Sequence, residues 1–334
     1  MPAVTMIIPN WNGRHLLARC LAAIAEQTWR DFQVIVVDNG STDGSVEWLK
    51  ENCPSVEVIV NQDNRGFAAA VNQAVQASSG PYVATLNNDA EPEPGWLEAL
   101  VQAIECDERV GMCSSKMLFA DRPEMINSTG ICVDRVGIVW DRRIGELDTN
   151  DEQEPVQVFG ACGGAALYRR AMLDQVGGFD QDFFAYLEDV DLAWRARLAG
   201  WRGLYVPAAR VLHRYSATGG EDSPFKNFYL GRNKVWLIIK NYPLPVGLLY
   251  LPLVWLYDLG TLPYRKLFRG DWSAVWGRWS ALRHWRVAWR KRHLLPDQAS
   301  HSRWPDGMSP IISLGAIHTR LGRIVQRSAV ETRS

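Results

Sequence analysis

The sequence carries no G-x-G-x-x-G after its first apolar run and no G-x-x-x-x-G-K-S/T anywhere. The dinucleotide fingerprint and the P-loop are thereby excluded, and a nucleotide bound here is held another way. The six cysteines (Cys20, Cys53, Cys106, Cys113, Cys132, Cys162) form no C-x-x-C pair, and none stands with histidine at ligand spacing. They read as buried or incidental thiols of a reducing compartment, not as a zinc or disulfide framework. The N-terminus lacks a charged n-region and a long apolar run, so no signal peptide is expected. Leu244–Leu259 is strongly apolar, but it is interrupted by Pro245 and Pro252. It falls short of the ~20 residues that span a bilayer.

What is present allows one large domain with an appendage, or two domains: 334 residues, 47% hydrophobic. The net charge of −1 hides an asymmetry. Residues 1–260 hold 22 Lys+Arg against 33 Asp+Glu, while residues 261–334 hold 14 against 4. Eight of the fifteen tryptophans lie from Trp236 onward. A basic, Trp-rich tail on an acidic body suggests an anionic surface as its partner. Long aliphatic runs beside it favour membrane lipid, and no nucleic acid is expected.

Residues 3–119 alternate apolar runs with helical patterns. Val4–Ile8, Gln33–Val37, Val56–Val60 and Tyr82–Leu86 read as strands; Gly13–Gln27 and Gly66–Gln76 read as helices. Ser41 or Thr42 is placed to cap the helix after the second strand. Repeated βα units predict an open α/β sheet, mainly parallel, with helices on both faces. Ligands bind such sheets beyond the carboxyl ends of the strands. Asp38 and Asp89 stand there, directly after strands two and four. Residues 120–165 are less regular, with strands expected at Met125–Val133 and Val136–Trp140 and an acidic loop at Glu146–Glu154. Gly160, Gly163 and Gly164 allow close approach of a ligand or of another backbone. Trp201–Pro207 reads as a further strand.

Glu188-Asp189-Val190-Asp191 places three carboxylates within four positions, ahead of a helix ending at Ala199-Gly200. Such acids repel one another unless a cation neutralises them or one serves as a base. A first helical turn capped by Glu188 or Asp189 accounts for them equally well. His213, at the end of an apolar run, reads by itself as a core or surface histidine.

Taken together, Pro9-Asn10-Trp11-Asn12, Val36–Gly44, Asn64-Arg65-Gly66-Phe67-Ala68, Leu86-Asn87-Asn88-Asp89 and Glu188–Arg195 resemble family 2 glycosyltransferases of the GT-A fold. The likeness runs over about residues 1–240 and is greatest to the rhamnosyltransferase-type branch, which shares Gly163-Gly164, the acidic motif and the histidine after it. The resemblance implies inverting transfer of a hexosyl group from a nucleotide-diphosphate sugar to an acceptor hydroxyl. It implies Pro9, Asn12, Asp38, Arg65, Asn88 and Asp89 at the donor, and Gly163, Gly164 and Glu188 at the acceptor. It implies Asp189 as general base supported by Glu188, and Mg2+ or Mn2+ on Asp89 and His213. Asn87-Asn88-Asp89 replaces the usual Asp-x-Asp, so metal affinity is expected to depend on the donor. Asp191 and Arg195, at i,i+4, are expected to pair and to hold Asp191 away from the chemistry.

The resemblance divides the chain into a catalytic domain, 1–240, with nucleotide-binding (1–119) and acceptor (120–240) halves. An amphipathic helical extension is expected over 241–295 and a polar, partly disordered tail over 296–334, with a short helix near Ile311–Val325. Trp272, Trp276 and Trp279 share one helical face among basic residues, which suits a membrane interface. A helical cap on the domain and a homodimer face are the alternatives. The expected setting is cytoplasmic, peripheral on the inner face of the cell membrane. The expected reaction is rhamnosyl transfer from dTDP-rhamnose to a glycan or lipid-linked acceptor in cell-wall or surface polysaccharide synthesis. A UDP-hexose or UDP-N-acetylhexosamine donor is one alternative. The other is an inactive nucleotide-sugar-binding scaffold, against which stand Asp38, Asp89, Asp189 and His213, all present.

Overall fold

The computed structural model describes residues 2–214, 223–244, 246–256, 271–294 and 304–309. The expected helix near Ile311–Val325 lies outside the described residues, as does the end of the apolar run at 257–259.

The β-branched runs become one half of a ten-stranded sheet. β1 (Val4–Asn10), β2 (Phe32–Asp38), β3 (Glu57–Val60) and β4 (Tyr82–Leu86) are mutually parallel, in the order 3-2-1-4, with β3 at the edge of the sheet. Residues of β1 and β2 are enclosed on both sides by the alternation of the pleat. Ile7, Ile35 and Val37 pack towards α3 (Gly66–Ala77), while Met6, Ile8 and Val36 pack towards α1 (Arg14–Ala25) and α4 (Trp96–Glu105). Helices therefore cover both faces, as expected.

The parallel reading holds only for this half. Beyond β4 the order continues through β11 (Ala165–Arg169), β6 (Val110–Phe119), β12 (Arg202–His213) and β10 (Val156–Val158). β11 is antiparallel to both of its neighbours, and β12 is parallel to β6. β5 (Ala90–Pro92) and β7 (Arg122–Ser128) add further antiparallel pairs. The sheet is mixed, because β11 arrives from a long connection and not from a βα crossover. The strand expected over Met125–Val133 is two, β7 and β8 (Ile131–Val133), and β8 pairs with β9 (Val139–Asp141) in a separate ribbon. β12 runs on past Pro207 to His213, so the histidine closes a strand.

Neither expected helix cap forms. α2 (Ser45–Asn52) begins after Gly44, with Asp43 Oδ1 accepting from the Ser45 N–H at 3.2 Å. Ser41 Oγ instead accepts from the Asn12 N–H at 2.8 Å. α6 (Glu188–Leu198) begins after Leu187, whose φ is +66°, with no side-chain cap.

α7 (Pro224–Asn241) starts with a Ser223 hydroxyl cap and a proline in the first turn, a favoured helix opening. The helix Ser273–Arg283 lies along it at very close range. A Cβ on Gly277 would stand 2.1 Å from Phe228 O, and one on Gly231 2.4 Å from Ala274 O. Arg292 donates to Ile239 O at 2.8 Å and Tyr242 O at 2.7 Å, satisfying carbonyls at the α7 C-terminus. The helix Ser273–Arg283 thus packs on α7 through Ala274, Gly277 and Ala281. Its other face leaves Trp272, Trp276 and Trp279 exposed by 47%, 60% and 53%. No helix among the described residues is long and apolar enough to cross a membrane.

Candidate active site

Three adjacent strand ends are tied by side-chain amides. Asn88 Nδ2, just past β4, donates to Asn10 Oδ1 at 2.8 Å; Asn10 Nδ2, ending β1, donates to Asp38 Oδ2 at 2.8 Å. The second Asp38 oxygen accepts from the Ser41 N–H at 2.8 Å, and the carboxylate is buried. Asp38 therefore shapes the rim that its neighbours present. Pro9 is half-buried opposite Val37, and Asn12 is exposed with Oδ1 accepting from the Thr42 N–H at 2.8 Å. Arg65 is exposed at the start of α3.

Asp89 and His213 meet where β5 and the end of β12 lie side by side. His213 Nε2 is 3.1 Å from Asp89 Oδ1. Asn127 Oδ1 lies 2.8 Å from His213 Nδ1, and Asn87 Nδ2 lies 3.4 Å from Nε2. Asn127 and Asn87 together fix the orientation of the ring. The buried Asp89 Oδ1 makes no hydrogen bond among the described residues. A buried carboxylate oxygen facing an imidazole nitrogen at this range suits a shared divalent cation. Among the described residues no group of three or more His, Cys, Asp or Glu is arranged to hold a metal. Two protein ligands fit a hard cation that takes the rest of its oxygen shell from outside the protein.

The Gly163-Gly164 segment joins this rim to the acidic helix. The Asn87 N–H donates to Gly164 O at 2.8 Å, and Thr85 Oγ1 to Gly163 O at 2.8 Å. The Gly163 N–H in turn donates to Asp189 Oδ2 at 3.0 Å. Glu188 is buried, and its Oε2 has no hydrogen-bond partner among the described residues. Burial, with Asp189 beside it, pushes the Glu188 carboxyl well above the usual range. Burial also raises Asp189, to about 6, against the Gly163 and Val190 N–H groups that favour the carboxylate. A helix N-terminus by itself favours the carboxylate, the opposite direction. Desolvation outweighs the dipole here. At neutral pH the carboxylate form of Asp189 still predominates.

Asp191 pairs with Arg195, as their spacing predicts. Arg195 Nη2 and Lys240 Nζ reach Asp191 Oδ2 at 2.7 and 2.9 Å, and Asn241 Nδ2 reaches Oδ1 at 2.8 Å. Burial acts to raise its pKa, but Arg195 and Lys240 prevail and hold the carboxyl well below the usual range. Lys240 also pairs with Asp180 at 2.7 Å. Between them, Phe184, Tyr186 and Leu187 all have positive φ (64°, 68°, 66°) directly ahead of Glu188. Such conformations cost about 1–3 kcal/mol each and persist only where surroundings impose them. One imposing contact is Gly66, where a Cβ would lie 2.4 Å from Phe184 O.

Asp141 lies near enough to act on Asp189, and the sequence reading passed over it. Burial raises its pKa, opposed by Ser128, Lys226 and His213, and its charge in turn raises Asp189. The signal was an acid ending the apolar run Ile138-Val139-Trp140. Asn87 and Asn127, which orient the histidine, were legible only once β7 and β12 stood on the same sheet.

A model of the family described as Glycosyl transferase family 2 matches residues 5–177. The N-acetylglucosaminyl-diphospho-decaprenol L-rhamnosyltransferase of Mycobacterium tuberculosis (strain ATCC 25618 / H37Rv) is 32% identical over 233 residues, 63% of this chain and 75% of that protein. The pre-mycofactocin glycosyltransferase of the same organism is 30% identical over 234 residues, 68% of this chain and 46% of that protein. Among solved structures, the mannosyltransferase PcManGT from Pyrobaculum calidifontis in complex with GDP-Man and Mn2+ superposes with a TM-score of 0.52 at 21% identity, over 88% of this chain and 85% of that one. GalNAc-T7 with UDP, GalNAc and Mn2+ gives a TM-score of 0.57 at 20% identity, over 71% and 48% of the two chains. The likenesses to solved structures give the fold, that of the GT-A glycosyltransferases.

Proposed function

The chain belongs to glycosyl transferase family 2, and from that premise we propose that it is a metal-dependent, inverting rhamnosyltransferase that uses dTDP-rhamnose. The observation that carries the mechanism is the half-buried Asp189, held by Gly163 and raised to about 6, one glycine away from the rim that ends in Asp89. A base whose pKa lies near the working pH combines an available carboxylate with a useful proton affinity.

In this reading the acceptor hydroxyl lies against Asp189. As its oxygen attacks the anomeric carbon, Asp189 takes the proton and the bond from that carbon to the leaving diphosphate oxygen breaks. One displacement from the face opposite the diphosphate inverts the centre. Glu188, its carboxyl raised by burial and by Asp189 beside it, faces the acceptor. Asn10, Asp38 and Asn88 hold the nucleoside rim, with Pro9, Asn12 and Arg65 along it. Gly163 and Gly164 leave room for the acceptor. A divalent cation on Asp89 and His213 would supply positive charge to the diphosphate.

The relative at 32% identity is named for rhamnosyl transfer to a lipid diphosphate sugar, which supports an acceptor of that class here. The exposed Trp face of the Ser273–Arg283 helix, with Arg278 and Arg283 on the same helix, supports attachment to an anionic membrane. The cytoplasmic face of the cell membrane is the proposed place, and surface polysaccharide the proposed product. A panel of dTDP- and UDP-sugars with Mg2+ or Mn2+ tests the donor: turnover with dTDP-rhamnose that EDTA abolishes is expected. Preference for a UDP-sugar overturns the donor, and turnover indifferent to EDTA overturns the metal.

A further inference from the structure

The loop Phe183–Leu187, which delivers Glu188 and Asp189, is held from α7. Asn233, buried at the middle of that helix, places its single Nδ2 within hydrogen-bond reach of three loop carbonyls: Phe183 O at 2.9 Å, Ala185 O at 2.8 Å and Tyr186 O at 2.7 Å. The preceding residue, Arg232, donates from Nη2 to Asp182 O at 2.7 Å and Phe183 O at 2.9 Å. Its guanidinium lies over the rings of Tyr229 and Trp236, and Nε is fixed on Asn233 Oδ1 at 2.9 Å.

Carbonyls two and three residues apart converge on one donor only when the backbone between them curls tightly. Phe184, Tyr186 and Leu187 supply that curl through positive φ, which side-chain-bearing residues avoid. An amide with two hydrogens facing three carbonyls offsets their mutual repulsion and stabilises the curl. An extended loop would separate these oxygens and would turn the start of α6, hence Asp189, away from Gly163.

We infer that Asn233 is a positioning residue for sugar transfer: by gathering the Phe183, Ala185 and Tyr186 carbonyls it sets the strained loop that aims Asp189. Arg232 reinforces it. Neither side chain is placed on donor, acceptor or metal. The inference rests on Asp189 being the base, as proposed above.

The test uses the full chain and two readouts. In Asn233→Ser, backbone amides of residues 183–190 are expected to exchange with deuterium at least about 10-fold faster, while the sheet keeps its protection. This readout needs no substrate. In rhamnosyl transfer, kcat is expected to fall about 10²-fold with donor KM within about two-fold, since a small misplacement of a reacting group costs that much. Arg232→Lys keeps the cation over the rings and loses one of the two loop contacts. It gives a smaller change of the same kind and serves if Asn233→Ser does not fold. Unchanged loop exchange in both variants overturns the inference whatever the activity. Faster exchange with unchanged kcat overturns the catalytic role. A wild-type chain that turns over no sugar donor overturns the parent reading and the catalytic role with it, and the exchange result still separates the two failures.

Discussion

The backbone N–H of Gly163 donates to Asp189 Oδ2 at 3.0 Å, joining the glycine segment beside β4 to the first turn of α6. This contact favours the carboxylate, while burial disfavours it and prevails, leaving Asp189 at about 6. The rate of sugar transfer should therefore fall on the acid side with an apparent pKa near 6. A rate profile flat from pH 5 to 8 would contradict Asp189 as the base.

Asp189→Asn should abolish transfer, keep donor binding and stabilise the fold. The sign follows from linkage. The folded-state pKa lies above the usual 3.8, so stability is fully present below about pH 4 and is lost as pH rises to about 6. An amide does not titrate. Thermal melts should show the variant above wild type at pH 7.5, with the gap closing near pH 4. A lower melting temperature at pH 7.5 would contradict this sign.

Asn127→Ala should weaken metal-dependent donor binding. Asn127 Oδ1 holds His213 Nδ1 at 2.8 Å, so its loss frees the ring to rotate or change tautomer. Loss of such outer contacts commonly costs about 10–100-fold in metal affinity. Titration of Mn2+ in the presence of donor reads the effect. Unchanged affinity would remove His213 from the metal.

Lys240→Met should destabilise the protein by about 3–5 kcal/mol, as breaking a buried ion pair does. It leaves buried Asp191 with Arg195 and the neutral Asn241 amide, and takes one of two lysines from Asp180. Denaturant unfolding measures it. A cost below about 1 kcal/mol would show the network relaxing around the loss.

Trp276→Ser with Trp279→Ser should reduce co-sedimentation with anionic vesicles and leave the fold intact, since both rings are largely exposed. Deletion from residue 241 onward is the wrong test: it removes Lys291 from Asp180 and Arg292 from the end of α7. Undiminished vesicle binding in the double variant would end the case for this face.

The parts legible in the sequence were those set by local pattern. β1, β2 and β4 are largely apolar runs that stop at polar residues, so the sequence alone places Asp38 and Asp89 on one rim. The Asp191–Arg195 pair followed from helical spacing. The insertion of β11 antiparallel between β4 and β6 is a pairing between distant segments, and no local periodicity encodes it. Asp141 sits on a three-residue strand whose place depends on β8. Asn233 looked like any polar residue of an amphipathic helix, because its partners are main-chain carbonyls without sequence identity. The rise in the Asp189 pKa is illegible for a similar reason: the helix terminus is readable from sequence, whereas the enclosure around it is not.

The most direct measurement is transfer of rhamnose from dTDP-rhamnose to a synthetic polyprenyl-diphosphate N-acetylglucosamine with Mn2+, comparing wild type with Asp189→Asn and assigning the anomeric configuration of the product by NMR. The account predicts a single inverted product from the wild type and none from the variant, with donor affinity equal in the two. Retention of configuration, or transfer by Asp189→Asn at near the wild-type rate, would contradict it.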